Sequence, residues 1–480
     1  AECFTGGGSL AIIKVNLYIH KEMNDMTASL HQDWRQKPIR PERIMAGGFL
    51  ALILLGGLLL SLPIASATGE SMGLFNSFFT ATSAVCVTGL VAVDTGTALS
   101  LFGQIVLLLL IQTGGLGFMI FATLVMVLLG RRISLKNRVM IRESMSAATL
   151  SGLIRLSLWY GGMALCIELA GAALLSLRFV PLYGWGKGLY YSLFHAVSAF
   201  CNAGFDLFGH FSSLTSFAHD PLVVLTVSML ILLGGLGFSV MFECIHCHRD
   251  FRRLSLHAKL VLTVSLGLLV VGTLGFLLLE GSNPATLKGM SFGDKLLNAF
   301  FQSVTMRTAG FNTIDLGAMR ESSKLWSVIL MFIGASPAST GGGVKTTTMG
   351  VLFLLVLSVI RGQDDVTVMK RRLPIDLMRQ ALSILFISLC MLLAGTMVIT
   401  IFEQDERSFL DLLFESTSAM ATVGVTAIGT PALHQPSKLM LMLMMYFGRV
   451  GPLTLALALA HKQNATKNHL KYPEDKIMIG

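Results

Sequence analysis

From Ile44 to Gly130 the chain carries no lysine and no arginine. Over all 480 residues only 13% are Asp, Glu, Lys or Arg, where an ordinary soluble domain has about 25%. That scarcity excludes a water-soluble globular protein. Cysteine is also sparse: Cys3, Cys86, Cys166, Cys201, Cys244, Cys247 and Cys390 are scattered, which excludes a disulfide framework. No cleavable signal peptide is evident, because the first apolar run starts after residue 43 and further runs follow. What is present is apolar sequence, 53% of residues with a mean hydropathy of +0.71. The runs recur along nearly the whole length, so the lipid bilayer is the expected surround. The net charge of +9 is not a nucleic-acid signal, since the basic residues cluster by loop.

The clusters set an orientation. RRISLKNRVMIR (131–142) holds five basic residues, HCHRDFRRLSLHAK (246–259) four, and the segment from Arg361 to Arg379 five. Short loops rich in Lys and Arg lie on the cytoplasmic side. The flanking RQKPIRPER (35–43) and HKQNATKNHLK (461–471) fit that side, so both termini are expected in the cytoplasm, as segments 1–43 and 461–480. Residues 1–25 differ in character from the rest, and Met26 offers a plausible natural start. They read as an upstream extension or an artefact.

Four stretches resemble one another: TSAVCVTGL (82–90), VSAFCNAGF (197–205), SVTMRTAGF (303–311) and TSAMATVGV (417–425). Their shared glycines, Gly89, Gly204, Gly310 and Gly424, are 115, 106 and 114 residues apart. Such regularity marks an internal repeat. Ahead of each lies a short amphipathic segment of about 10 residues, too short to span a bilayer and suited to a re-entrant half-helix. Two long apolar segments flank each one, at 44–65 and 101–130, 153–178 and 221–244, 257–279 and 325–360, and 380–402 and 438–460. The expected fold is an all-α membrane protein of four tandem repeats, each helix, pore half-helix, filter loop and helix, with eight transmembrane spans around one central pore. The repeats run 44–130, 131–244, 245–360 and 361–460. Basic loops follow the second helix each time, which places all four half-helices on the extracellular side.

Four re-entrant loops around one axis suit a cation path. Backbone carbonyls replace the water shell that an ion sheds, and glycine lets a chain turn its carbonyls inward. The partially negative C-terminal ends of the half-helices favour a cation at the centre. A packing role for one such glycine would be unremarkable, but four at near-equal spacing argue against it. A second irregularity interrupts the third repeat. GASPASTGGGVKTTT (334–348) sits between LWSVILMFI and MGVLFLLVLSVI, neither long enough to span. Irregular backbone at that depth must be buried in protein or line a wet cavity. A phosphate-binding loop is excluded because Val344 separates Gly343 from Lys345.

Charges within apolar runs are functional candidates because their burial is costly. Arg449 lies mid-span, as a pore-facing charge or in a structural ion pair, for example with Glu415. Arg307 is expected to brace its loop from behind, with Asp315 a possible partner. Glu168 either bonds a neighbouring helix or binds a coupling sodium ion. Cys244 and Cys247 with His246 and His248 have zinc-like spacing but no second half-site, so no metal is expected. GGLGF, at 114–118 and 234–238, suits close helix approach. An intramembrane enzyme using His195, Glu415 or Ser336 would need convergent acid–base groups. His195 and Glu415 instead occupy equivalent half-helices and read as anchors. An ion-coupled secondary transporter for another monovalent cation is the alternative function, although that class usually shows two inverted repeats.

TATSAVCVTGLVAVDTG, FHAVSAFCNAGF, RTAGFNTIDLG and FESTSAMATVGVTA resemble, in order, the four filter loops of the Trk/Ktr/HKT superfamily of potassium transporters. The resemblance covers the chain from about residue 40 to its end. FGRVGPLTLAL (447–457) and KYPEDKIMIG (471–480) place it nearest the membrane subunits of bacterial Ktr systems (KtrB). It implies a potassium filter formed by Val87, Thr88 and Gly89; Cys201, Asn202, Ala203 and Gly204; Thr308, Ala309 and Gly310; and Thr422, Val423 and Gly424. Relatives with Ser in the first loop tend to conduct sodium, so Gly in all four implies potassium. It also implies a gate under the filter at 334–348, with Gly334, Ser336, Ser339, Thr340, Gly341, Gly342, Gly343 and Lys345, and with Arg449 beside it. Many relatives have fewer glycines there. The implied partners are a second copy in a homodimer and a cytosolic nucleotide-binding RCK-type ring subunit (KtrA-like). Potassium would be the substrate, sodium an activator, and no covalent cofactor is needed.

Overall fold

The apolar runs fold into helices whose breaks are set by glycine and proline. The computed structural model describes residues 41–117, 120–121, 123, 127, 153–246, 251–363, 365–369, 371–403 and 407–459. The expectations for segment 1–40, the basic loop 131–142, Cys247, His248 and the tail 461–480 lie outside the described residues.

Among the described residues four helices are long and apolar enough to cross a membrane: α1 (Pro41–Leu60), α4 (Leu153–Tyr183), α8 (Leu256–Glu280) and α12 (Ile375–Glu403). Only 22–33% of their most apolar windows is buried within the protein. The remaining apolar surface requires a hydrocarbon surround. Each long helix packs on a following half-helix: α2 (Leu74–Val85), α5 (Trp185–Phe200), α9 (Phe292–Thr305) and α13 (Phe409–Met420). These run 12, 16, 14 and 12 residues, longer than the sequence pattern suggested. In the third, Ser291 adds a turn by accepting from the Asp294 amide. A phenylalanine at the equivalent place in each half-helix, Phe79, Phe194, Phe301 and Phe414, is wholly buried and anchors the half-helix ahead of its loop.

The second helix of each repeat is shorter than expected and ends in a break. These are α3 (Leu101–Leu116), α6 (Pro221–Leu236), α10 (Glu321–Phe332) and α14 (Gln435–Val450). Gly117, Gly237 and Gly451 follow three of them at φ +83°, +93° and +93°, a conformation that favours glycine. After Gly237 the chain turns by 98° into α7 (Phe238–His246). After Gly451 it continues as α15 (Pro452–Leu459). In the third repeat the break is the whole segment from Ile333 to Lys345, followed by α11 (Thr346–Ile360). The GGLGF stretches therefore do two things. Gly114 and Gly234 let α3 and α6 approach the Val85 and Phe200 carbonyls closely, and Gly117 and Gly237 end the helices.

The ring closes through these shorter helices. Besides its own half-helix, α3 packs on α5, α6 on α9, α10 on α13, and α14 returns to α2. Two equivalent carboxylates fix the entries to the later pair. Glu280, ending α8, accepts from the Arg320 amide at 2.9 Å, and Glu403, ending α12, accepts from the His434 amide at 3.0 Å. Arg320 and His434 are the N-caps of α10 and α14. Among the described residues the expected all-α character has a small exception, a two-residue antiparallel pair with Thr367 opposite Arg372 and Val368 opposite Arg371.

Candidate functional site: four converging loops and a loop beneath them

Each half-helix ends in the same local design. Val87, Asn202, Thr308 and Thr422 have φ of +55°, +58°, +74° and +52°, and the glycines two positions later are also at positive φ. Such values are uncommon for non-glycine residues, and their recurrence at four equivalent positions shows a shared backbone path. The amides turn back onto the half-helices. Thr88, Ala203, Ala309 and Val423 donate to the carbonyls of Ser83, Ser198, Thr305 and Ser418 at 2.8, 2.8, 3.0 and 2.8 Å. The loop carbonyls are left free to point elsewhere.

They point at one another's glycines. A Cβ built on Gly89 would lie 2.6 Å from the Ala203 oxygen, and one on Gly204 2.7 Å from the Ala309 oxygen. On Gly310 it would lie 2.9 Å from the Val423 oxygen, and on Gly424 it would collide with the Thr88 oxygen. Four equivalent carbonyls thus face four equivalent glycines in a closed cycle. Cys201 stands apart. It caps α5, and its thiol turns away toward Gln112 (3.5 Å) and Glu168 (3.9 Å).

Behind the cycle lie hydroxyls that the sequence reading passed over. Ser83 and Ser418 accept from the Gly89 and Gly424 amides at 3.1 and 3.0 Å, while Ser198 and Thr305 donate to the Phe205 and Phe311 carbonyls at 2.8 and 2.5 Å. The Ser-Ala pairs in three of the four repeated stretches were the available signal. The fourth was hidden because the third repeat is one residue shorter between Phe301 and Gly310, so Thr305 takes the place that alignment on the glycines gives to Val304. One turn earlier, His195 Nε2 receives the Leu207 amide at 3.3 Å, and Glu415 Oε1 accepts from Thr430 at 2.6 Å. Gln302 reaches Thr313 at 3.5 Å. These groups anchor the chain that leaves each loop.

The intramembrane charges have definite partners. Arg307 is buried and donates to Ser265 Oγ at 3.0 Å and to the Ser265 carbonyl at 3.3 Å. It braces the third loop from behind, but its partner is Ser265 rather than Asp315, whose carboxylate caps the Gly317 amide at 2.9 Å. Glu168 accepts from Gln112 Nε2 at 3.0 and 3.2 Å, which ties α4 to α3. Arg449 does not pair with Glu415. Its guanidinium donates to the carbonyls of Thr340, Gly114 and Gly115. In the register of the four helix ends, Arg449 occupies the place held by Gly115, Gly235 and Ala335. No group of His, Cys, Asp or Glu able to hold a metal occurs among the described residues.

On one side of the glycine cycle opens a cavity of about 240 Å³ lined by all four glycines with Asp94, Asp206, Asn312 and Asp315. On the other side lies the segment 334–345. The Gly342 amide donates to Thr422 Oγ1 at 3.1 Å, and Gly341 abuts Thr308. The loop is folded: Gly334 donates to the Val344 carbonyl at 2.8 Å, Ser336 and Thr340 to Gly235 and Gly234 at 3.0 and 3.2 Å. Ser336 bonds Thr346 at 3.0 Å, Ser339 donates to the Ser336 carbonyl at 2.6 Å, and Lys345 donates to Gly341 at 2.8 Å. Beyond it is a second cavity of about 380 Å³ lined by Ser339, Gly341, Gly343, Lys345 and Arg449 among others. The segment therefore stands between the two cavities, in direct contact with the converging loops.

Comparison with known proteins places this geometry in context. A family model described as a cation transport protein, TrkH, matches residues 50–469. The chain is 41% identical over 440 residues to the Ktr system potassium uptake protein B of Bacillus subtilis, covering 92% of this chain and 97% of that one. It is 39% identical to the potassium/sodium uptake protein NtpJ of Enterococcus hirae, covering 93% and 98%. The crystal structure of the potassium transporter TrkH from Vibrio parahaemolyticus superposes with a TM-score of 0.67 at 17% identity, over 94% of this chain and 97% of that one.

Proposed function

The chain belongs to the TrkH family of cation transport proteins, and from that premise we propose that it is the ion-translocating subunit of a Ktr-type potassium uptake system in a bacterial cell membrane. The observation that carries this reading is the closed cycle in which the carbonyls of Thr88, Ala203, Ala309 and Val423 each face the next loop's glycine. A dehydrated cation needs such a cage of oxygens. The names of the relatives from Bacillus subtilis and Enterococcus hirae support potassium as the ion. Four repeats each supply one long span and one broken span to make eight crossings around the pore.

Entry is through the mouth holding Asp94, Asp206 and Asp315, which concentrates cations. The ion sheds water as it passes the glycine cycle. It then meets the segment 334–345, which is the gate. Tied by Arg449 to Thr340 and by Thr422 to Gly342, the loop holds the path closed; when it swings aside, the ion reaches the inner cavity. Arg449 adds a fixed positive charge beneath the filter that speeds ion exit. Both termini face the cytoplasm. A homodimer, sodium activation and a nucleotide-binding ring subunit docked on the basic cytoplasmic face complete the proposal; the Ktr system names of relatives support a partnership with other subunits.

The test is growth of a potassium-uptake-deficient bacterium in low-potassium medium, with and without the ring subunit. The intact chain should rescue growth. Gly310→Asp should abolish rescue at unchanged membrane abundance, because a side chain there meets the Val423 and Thr88 oxygens. Deletion of residues 338–343 should give unregulated uptake. Full rescue by Gly310→Asp would overturn the filter assignment.

A further inference from the structure

The inner cavity is built for a negative charge. Among the described residues two cationic side chains line it, Lys345 and Arg449, and no Asp or Glu does. Both make their hydrogen bonds to backbone carbonyls, Lys345 to Gly341 and Arg449 to Thr340, Gly114 and Gly115. Among the described residues neither is paired with a carboxylate. Both are half-buried, and holding two like charges in one space is costly even with carbonyl partners; an anion between them offsets part of that cost. Two further features add to the field. Helix α11, 15 residues long, starts at this cavity with Lys345 as its N-cap and no side chain capping its first amides. Its N-terminal end carries a partial positive charge, although the Thr346 amide already donates to the Ala335 carbonyl at 3.2 Å. Thr348, in its first turn, also lines the cavity, as do the hydroxyl-bearing Ser339 and Tyr160.

We propose that this cavity binds a phosphate-type oxyanion, held by Lys345, Arg449 and the N-terminal turn of α11, and that the bound anion fastens the gate loop to α14. Lys345 follows the loop at the start of α11, and Arg449 belongs to α14, so one anion contacting both stabilises the closed arrangement. Binding rests on the cavity and its charges alone, independent of which cation crosses the filter. The source is either free phosphate or the headgroup of an anionic lipid, and the experiment separates them.

Purified full-length protein in a neutral detergent is titrated with inorganic phosphate against gluconate at constant ionic strength, and its thermal unfolding midpoint is followed. At tenfold the half-saturating concentration the midpoint should rise by about 1–2 °C beyond the gluconate control. Oxyanions also stabilise proteins by exclusion from their surface, so K345Q and R449Q are measured in parallel. That general part should persist in both variants while the saturable part disappears. In a second arm the protein sits in nanodiscs with or without phosphatidylglycerol and without phosphate. A variant-sensitive rise with phosphate assigns the free ion. A variant-sensitive rise with the lipid alone assigns the headgroup. Equal responses of wild type and both variants in both arms would overturn the proposal. Because each variant is read separately, misfolding of one leaves the other as the test.

Discussion

Replacing Gly424 with alanine puts the glycine cycle under a defined load. Gly424 sits at φ +90°, and its added Cβ would collide with the Thr88 carbonyl oxygen and lie 2.9 Å from the Gly89 Cα. The left-handed conformation costs alanine about 1–2 kcal/mol. Forcing a methyl into a filled space costs about 1–3 kcal/mol more. Together these give about 2–5 kcal/mol, and the Thr88 oxygen must move to relieve it. If that strain falls on the ion-coordinating state, at 1.4 kcal/mol per tenfold the flux drops roughly 30-fold to several thousand-fold. The assay is rubidium uptake into proteoliposomes at matched protein content. Gly429→Ala is the control, since Gly429 is also left-handed, at φ +76°, but has nothing within 4 Å of an added Cβ. It shares the backbone strain without the collision, and its uptake should stay close to wild type. Gly424→Ala transporting like wild type would refute the reasoning, because the cycle of carbonyls would then not lie on the ion path.

Further outcomes follow from the same geometry. Ser418→Ala removes the acceptor for the Gly424 amide; a buried unsatisfied donor costs about 1–3 kcal/mol, so the loop loosens and sodium should compete better with rubidium in uptake. Unchanged competition would remove the hydroxyls from the account of selectivity. Arg449→Ala frees the Thr340 carbonyl on the segment 334–345 and the carbonyls of Gly114 and Gly115 on α3; if that segment is the gate, uptake without a cytosolic partner should rise, and a fall would mean that the arginine serves the open path instead. In the cavity lined by the four glycines, burial raises the Asp206 carboxyl to about 7, with the nearby Asp94 adding to the rise and the Phe208 and Gly209 amides opposing it. It is neutral below that pH and charged above it, so the apparent affinity for external potassium should increase as external pH rises through 7. Asp206→Asn should flatten that dependence, and a profile unchanged by the substitution would assign the pH response elsewhere.

Much of this arrangement was legible in the sequence because it is repeated. A single Gly in an apolar chain says little, but four at nearly constant spacing marked the loops and fixed which glycines meet. His195 and Glu415 were readable as anchors for the same reason, each following the buried phenylalanine of its half-helix. What escaped were features without a strong one-dimensional signature. Arg307 was matched to the nearby Asp315, whereas its partner is a serine 42 residues earlier on another helix, a residue that polarity alone does not single out. The breaks at Gly117, Gly237 and Gly451 were hidden because glycine serves both close helix contact and left-handed turns, and only the backbone angles distinguish the two. The partners of Arg449 are main-chain carbonyls, which every residue carries and no pattern reveals. Its place in the four-fold register, against Gly115, Gly235 and Ala335, becomes visible only when the helix ends are aligned on their breaks.

The central claim is that a monovalent cation sits within the four converging loops. The most direct measurement is anomalous diffraction from crystals of the protein grown with thallium in place of potassium. The account predicts density on the axis ringed by the carbonyls of Val87 and Thr88, Asn202 and Ala203, Thr308 and Ala309, and Thr422 and Val423. Thallium bound only elsewhere, in protein that still takes up rubidium, would contradict it.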